Sequence, residues 1–140
     1  MFRTIIGSVA AVAALVAGAT SAFGADDPPG YASGSGRPEP EPAARLELSY
    51  LADAGFATAV KLDCDPVGGG HPQGEQACTT LDAAGGDPAR IPPGQTPCIL
   101  VYAPVTAEMT GTWHGRPVTW RQRFGNTCEM RRATAALFSF

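Results

Sequence analysis

Leu46, Leu48 and Tyr50 alternate with Glu47 and Ser49. A period of two predicts a half-buried strand, because successive side chains of a strand point to opposite faces. Asp53-Ala54-Gly55 reads as a turn. Thr58, Val60 and Leu62 then alternate through Ala57–Asp63 and run into Cys64, so the two runs predict an antiparallel pair. Asp65-Pro66-Val67-Gly68-Gly69-Gly70 reads as a mobile loop. From His71 to Gly85 the pattern turns helical: Ala77, Cys78 and Leu81 share a face that can dock on a sheet. Pro72 suits the first helical position, Glu75 the first turn, and Gly85 the left-handed conformation that closes a helix. On that face Cys78 is within reach of Cys64. Gly86 to Ile91 reads as a turn or a short helical piece. Val105 to Trp113 alternates again and ends at His114-Gly115, a tight hairpin loop, with Val118, Trp120 and Gln122 or Arg123 on the return strand. Phe124-Gly125-Asn126-Thr127-Cys128 reads as a turn away from the sheet, and Ala135 to Phe140 as a last strand. About five strands with one or two helices, short hairpin links and no βαβ rhythm predict an α+β domain on an antiparallel sheet.

One stretch fits this scheme poorly. Thr96-Pro97-Cys98-Ile99-Leu100-Val101-Tyr102-Ala103-Pro104-Val105 is an apolar run with proline on both sides, and Pro92-Pro93-Gly94 precedes it. Ile, Leu, Val and Tyr in succession normally read as a buried strand. The prolines remove backbone donors and restrict their neighbours, which keeps the run out of the middle of a sheet. From these residues alone it reads equally as an edge strand or packed loop and as an extended segment displayed to a partner.

The ends of the chain set its context. Arg3, an apolar run from Thr4 to Val16 and the small residues Thr20-Ser21-Ala22 describe a secretory signal peptide over residues 1–22, cleaved after Ala22. The run is short for a membrane anchor and no charged stop-transfer cluster follows. Residues 23–44, with Ser-Gly-Ser-Gly and Arg-Pro-Glu-Pro-Glu-Pro, read as a disordered tether, which leaves residues 45–140 as the folded domain. The expectation is a secreted, extracellular protein, with no membrane contact after signal removal. Net charge is −3 and becomes one unit more negative when Arg3 leaves. No basic patch interleaves with aromatics, so nucleic acid is excluded. Arg121, Arg123, Arg131 and Arg132 read as solvated surface.

Export changes the meaning of the 4 cysteines, Cys64, Cys78, Cys98 and Cys128. In a small exported chain they read as a disulfide framework, and no Cys-x-x-Cys suggests zinc. Three pairings are open. Sequential pairing closes two moderate loops, each worth ~3–4 kcal/mol in the chain-entropy model. No catalytic set assembles. Gly-x-Ser-x-Gly and His-Glu-x-x-His are absent. His71 reads as a helix-entry residue and His114 as a turn residue. Asp26, Asp27, Glu39 and Glu41 lie in the tether, where nothing shifts their ionisation. Gly68-Gly69-Gly70 lacks the context of a phosphate loop, and Trp113 and Trp120 read as sheet core or subunit contact. The chain is therefore read as no enzyme, with no metal and no cofactor.

Several motifs in order resemble the Streptomyces subtilisin inhibitor family. They are Thr58 to Cys64, a strand into cysteine; Gly69-x-His71-Pro72; Ala77-Cys78 with Leu81 and Ala84-Gly85-Gly86-Asp87; Pro97-Cys98 with Val101-Tyr102-x-Pro104-Val105; Gly111-x-Trp113-x-Gly115-Arg116; Phe124-x-Asn126-x-Cys128-x-Met130; and Phe138-x-Phe140. The resemblance spans Leu46 to Phe140. It implies a five-stranded antiparallel sheet with two helices, the pairings Cys64–Cys78 and Cys98–Cys128, and a homodimer formed through the sheets. It implies inhibition of an extracellular subtilisin-like or chymotrypsin-like serine protease at the bond Leu100–Val101, with Leu100 as P1 and Val101 as P1′. Pro97, Cys98, Ile99 and Tyr102 would then contact the protease, and Asn126 and Pro104 would support the loop. The chain departs from the family at Ile99, where proline is frequent, and at Ala103, where aspartate is frequent, so lower affinity is expected. A different role for the same scaffold is as partner or substrate of a metalloprotease or a transglutaminase, with Gln73, Gln76, Gln95 and Lys61 as the acyl donors and acceptor.

Overall fold

The computed structural model describes residues 38–140. The segments read as signal peptide and, up to residue 37, as tether lie outside the described residues. Pro38 to Glu41 is exposed and irregular, and order begins when the Ala43 N–H donates to the Asp65 carbonyl at 2.9 Å.

Strand β1, Ala44–Ala52, starts one residue before the expected domain boundary. It pairs antiparallel with β2, Ala57–Cys64, so that Leu46 faces Leu62 and Leu48 faces Val60. The alternation works as predicted: Leu46, Leu48 and Tyr50 are buried while Arg45 and Glu47 are exposed. Strands β3, Val105–Trp113, and β4, Arg116–Phe124, form the second hairpin, with β3 against the other edge of β1. The order is β2-β1-β3-β4. His114 and Gly115 make the two-residue turn with positive φ at both, 46° and 75°, the backbone twist that matches paired strands.

The sheet has four strands, which corrects the expected five. The residues expected as the last strand form a 3-10 turn, Ala135–Phe138. Leu137 and Phe138 are adjacent and both fully buried, which a strand covered on one face cannot achieve. Phe138 packs on Trp120 with ring centroids 5.6 Å apart, and the Leu137 carbonyl accepts from His71 Nε2 at 3.0 Å. The tail is thus held by the layer that covers the sheet and adds nothing to the sheet edge.

Helix α1 covers Gly74–Ala83, with Gln73 as its N-cap. It starts later than expected, so Pro72 is outside the helix. The His71 ring explains the entry: its Nδ1 accepts from the Gln73 N–H at 3.0 Å while Nε2 reaches the tail. The end is as expected. Gly85 has φ 65°, its N–H bonds the Asp82 carbonyl and the Gly86 N–H bonds the Leu81 carbonyl, the paired closure that satisfies the last carbonyls. Ala77, Cys78 and Leu81 are buried against the sheet, and the Cys64–Cys78 disulfide ties α1 to β2. The loop after β2, read as mobile, folds back instead. Asp63 and Gly68 exchange both backbone hydrogen bonds, at 3.0 and 3.1 Å. A 3-10 turn at Pro88–Arg90 follows α1.

A second correction concerns the segment read as a simple turn after Phe124. Asn126 caps a helix, α2, Thr127–Thr134. Eight residues are too few to persist alone in water. Burial of Met130, the disulfide at Cys128 and the cap hold α2 in place. One face of the sheet therefore carries the core and both helices. Its other face is open, with Arg45, Glu47, Thr110 and Arg121 exposed on it. The ion pairs of Arg121 with Glu108 and of Arg123 with Asp53 are exposed and add ~0–1 kcal/mol each.

Candidate functional site

Between the 3-10 turn and β3, residues 92–104 form neither helix nor strand. Leu100 is 100% exposed, Tyr102 81%, Ile99 75% and Val101 50%. Four consecutive large apolar side chains in water forgo the burial, ~1.5–3 kcal/mol each, that such residues normally contribute. A run of this kind marks a surface meant to be covered by something else.

The backbone beneath these side chains is tied down at both ends. Upstream, the Gly94 N–H donates to the Arg132 carbonyl at 2.8 Å. Cys98, two residues before Leu100, is bonded to Cys128 in the first turn of α2, with the two Cα atoms 5.8 Å apart. At the apex the Val101 N–H donates to the Ile99 carbonyl at 2.9 Å, bending the chain around Leu100. Downstream, Asn126 Nδ2 donates to the Val101 carbonyl at 2.8 Å. The Ala103 N–H donates to the Gly125 carbonyl at 2.9 Å, and the Pro104 carbonyl accepts from the Asp53 N–H at 3.0 Å. Pro104 is half-buried where the chain enters β3, and Pro97 is exposed next to Cys98.

Asn126 is 7% exposed and uses both ends of its amide. Oδ1 accepts from the Glu129 N–H at 2.9 Å as the cap of α2, while Nδ2 holds the loop. The Glu129 carboxylate in turn accepts from the Gly125 N–H at 3.0 Å. Reading the sequence missed Gly125, Glu129 and the Arg132 carbonyl as parts of this site. The first two carried a signal: Asn126-x-x-Glu129 is the cap-and-acid pattern of a helix N-terminus.

Residues 92–104 contain no His, Asp, Glu or Lys that could activate the Thr96 or Tyr102 hydroxyl, and Cys98 is held in its disulfide. His71 spends both ring nitrogens on backbone groups. His114 lies in the hairpin turn at the opposite end of β3, its ring 4.9 Å from that of Trp113. Among the described residues no group of His, Cys, Asp or Glu could hold a metal ion, and no helix is long and apolar enough to cross a membrane. Gln73, Gln76, Gln95 and Lys61 are exposed at scattered positions. What the arrangement offers is shape: a short loop bent at Leu100 and held at both ends, with its apolar side chains exposed.

The model of the subtilisin inhibitor-like family matches residues 44–126. The chain is 45% identical over 94 residues to subtilisin inhibitor-like protein 1 of Streptomyces cacaoi, covering 64% of this chain and 84% of that one. It is 44% identical over 85 residues to the subtilase-type protease inhibitor of Streptomyces fradiae, covering 59% and 60%. Among solved structures it is similar to Streptomyces caespitosus sermetstatin, seen in complex with Bacillus licheniformis subtilisin. The TM-score is 0.57 at 25% identity, covering 69% of this chain and 98% of that one.

Proposed function

The chain belongs to the subtilisin inhibitor-like family, and from that premise we propose that it is a secreted inhibitor of subtilisin-like and chymotrypsin-like serine proteases. It is no enzyme: the relatives it matches are named subtilisin inhibitor-like protein and protease inhibitor. Leu100 serves as P1, Val101 as P1′, and the bond between them is the one offered for cleavage. One observation carries this assignment. Leu100 is fully exposed at the bend of a loop fastened on both sides, to Cys128 and to Asn126.

A serine protease binds its substrate as an extended strand and takes the P1 side chain into a pocket. A free peptide loses much of its contact energy on being ordered; a loop already held in shape avoids that cost. Leu100 has no branch at Cβ and suits a deep apolar pocket. It fits trypsin poorly, because an apolar P1 leaves the carboxylate of that pocket unpaired.

Titration of subtilisin, chymotrypsin and trypsin with the wild-type protein and with Leu100→Lys tests the reading. The wild type is expected to silence subtilisin and to spare trypsin, and the variant to gain trypsin. Full subtilisin activity at micromolar inhibitor refutes the function. A variant without gain on trypsin removes Leu100 from P1. We further propose that two copies pair across the open face of the sheet, which sedimentation equilibrium would refute by finding only the monomer mass.

A further inference from the structure

We propose that Glu129 is a positioning residue of the loop, setting how slowly a bound protease hydrolyses Leu100–Val101; the proposal rests on the reading of that bond as the one offered for cleavage. Glu129 sits in the first turn of α2, where a carboxylate is favoured by the helix N-terminus. Among the described residues it makes no hydrogen bond to the loop. It grips the unit that does. Glu129 Oε2 accepts from the Gly125 N–H at 3.0 Å, and the Glu129 N–H donates to Asn126 Oδ1 at 2.9 Å. From that gripped unit leave two bonds to the loop: the Gly125 carbonyl to the Ala103 N–H, and Asn126 Nδ2 to the Val101 carbonyl. The fit is close. A Cβ on Gly125 would lie 2.8 Å from Glu129 Oε2.

The chemistry shows why this matters. The protease serine hydroxyl adds to the Leu100 carbonyl carbon, the C–N bond to Val101 breaks, and the hydroxyl proton ends on the Val101 amine. Two reactions of the resulting ester then compete. The amine attacks the ester carbon, re-forming the peptide bond and returning the proton to the serine. Alternatively water attacks, giving a Leu100 carboxylate and a cut chain. Rejoining dominates while the amine stays beside the ester, and small misplacements are costly. The Val101 amine takes its place from the Asn126 bond to the Val101 carbonyl, and Asn126 takes its own from Glu129.

The test follows cleavage of Leu100–Val101 by subtilisin with mass spectrometry, together with the inhibition constant and melting temperature of each protein. Glu129→Ala and Gly125→Ala are expected to raise the hydrolysis rate roughly tenfold, the worth of one charge-assisted hydrogen bond. Glu129→Gln, whose amide oxygen still accepts from Gly125, recovers most of the loss. Leu62→Ala is the control for simple destabilisation. Leu62 is buried and pairs with Leu46, which faces Gly111, toward the end of the sheet away from the loop. It is expected to lower the melting temperature and leave hydrolysis unchanged. An unchanged rate in Glu129→Ala, or an equal rise in Leu62→Ala, overturns the proposal. If Glu129→Ala does not fold, Gly125→Ala against Glu129→Gln decides it by the same criterion. A wild type that does not inhibit subtilisin at all removes the underlying reading instead.

Discussion

On the N-terminal side of Leu100 the loop is fastened covalently, from Cys98 to Cys128; on the C-terminal side it is fastened by hydrogen bonds, from Asn126 to Val101 and from Ala103 to Gly125. The two fastenings do different work. A disulfide keeps the chain near its anchor whatever its neighbours do, but leaves rotations along the backbone. A hydrogen bond fixes direction and is lost when its geometry is lost. The covalent side therefore limits how far a cut loop can open, and the hydrogen-bonded side aims the groups that must meet again. Both end on α2 and the residues just before it, so one short helix serves as the clamp for both.

The largest effect is expected from removing the covalent side. Cys98→Ser with Cys128→Ser should cost ~3–4 kcal/mol of stability in the chain-entropy model, read from urea unfolding. It should also turn the inhibitor into a substrate, with subtilisin activity recovering as the loop is cut. Durable inhibition by that variant would show that the hydrogen bonds suffice alone. Next comes Asn126→Asp. A carboxylate keeps an acceptor for the Glu129 N–H but cannot donate to the Val101 carbonyl, so the cap survives and the brace does not. We expect a loss of ~1–3 kcal/mol in inhibition with a much smaller change in melting temperature. Equal losses in both would mean that the two roles of Asn126 are one. The smallest effect belongs to Pro104→Ala, which frees the unfolded chain and costs ~0.4–1 kcal/mol. Its carbonyl still accepts from Asp53, so the inhibition constant should hardly move; a large change there would make Pro104 part of the aiming side.

The parts of the fold legible in the sequence are those where local and global preference agree. The alternation at Leu46–Tyr50 and Thr58–Leu62 stated which face is buried, and His114-Gly115 stated where the second hairpin turns. The exposed run at Ile99–Tyr102 was visible as an apolar stretch that proline kept from pairing. Illegible were the features decided by tertiary contact. Ala135–Phe140 has the composition of a strand, but the positive φ of 51° at Ala135 turns the chain after α2, and Phe138 is drawn onto Trp120. Helix α2 is too short and too polar to be evident from periodicity. Its one local sign, Asn126-x-x-Glu129, was hidden by the Gly125-Asn126 pair, which resembles a turn. Asn126 was read as a brace through the family resemblance; that the same side chain also begins a helix emerges only when both bonds are seen.

The exposure of Ile99, Leu100 and Tyr102 has a consequence for how such a protein can change. These side chains project into water, and the fold is built from other residues. Exchanges there are expected to alter stability by no more than about 0.5 kcal/mol. Recognition is in this way separated from folding. A lineage carrying this scaffold can sample new target proteases one substitution at a time, and each trial starts from a molecule that is already intact.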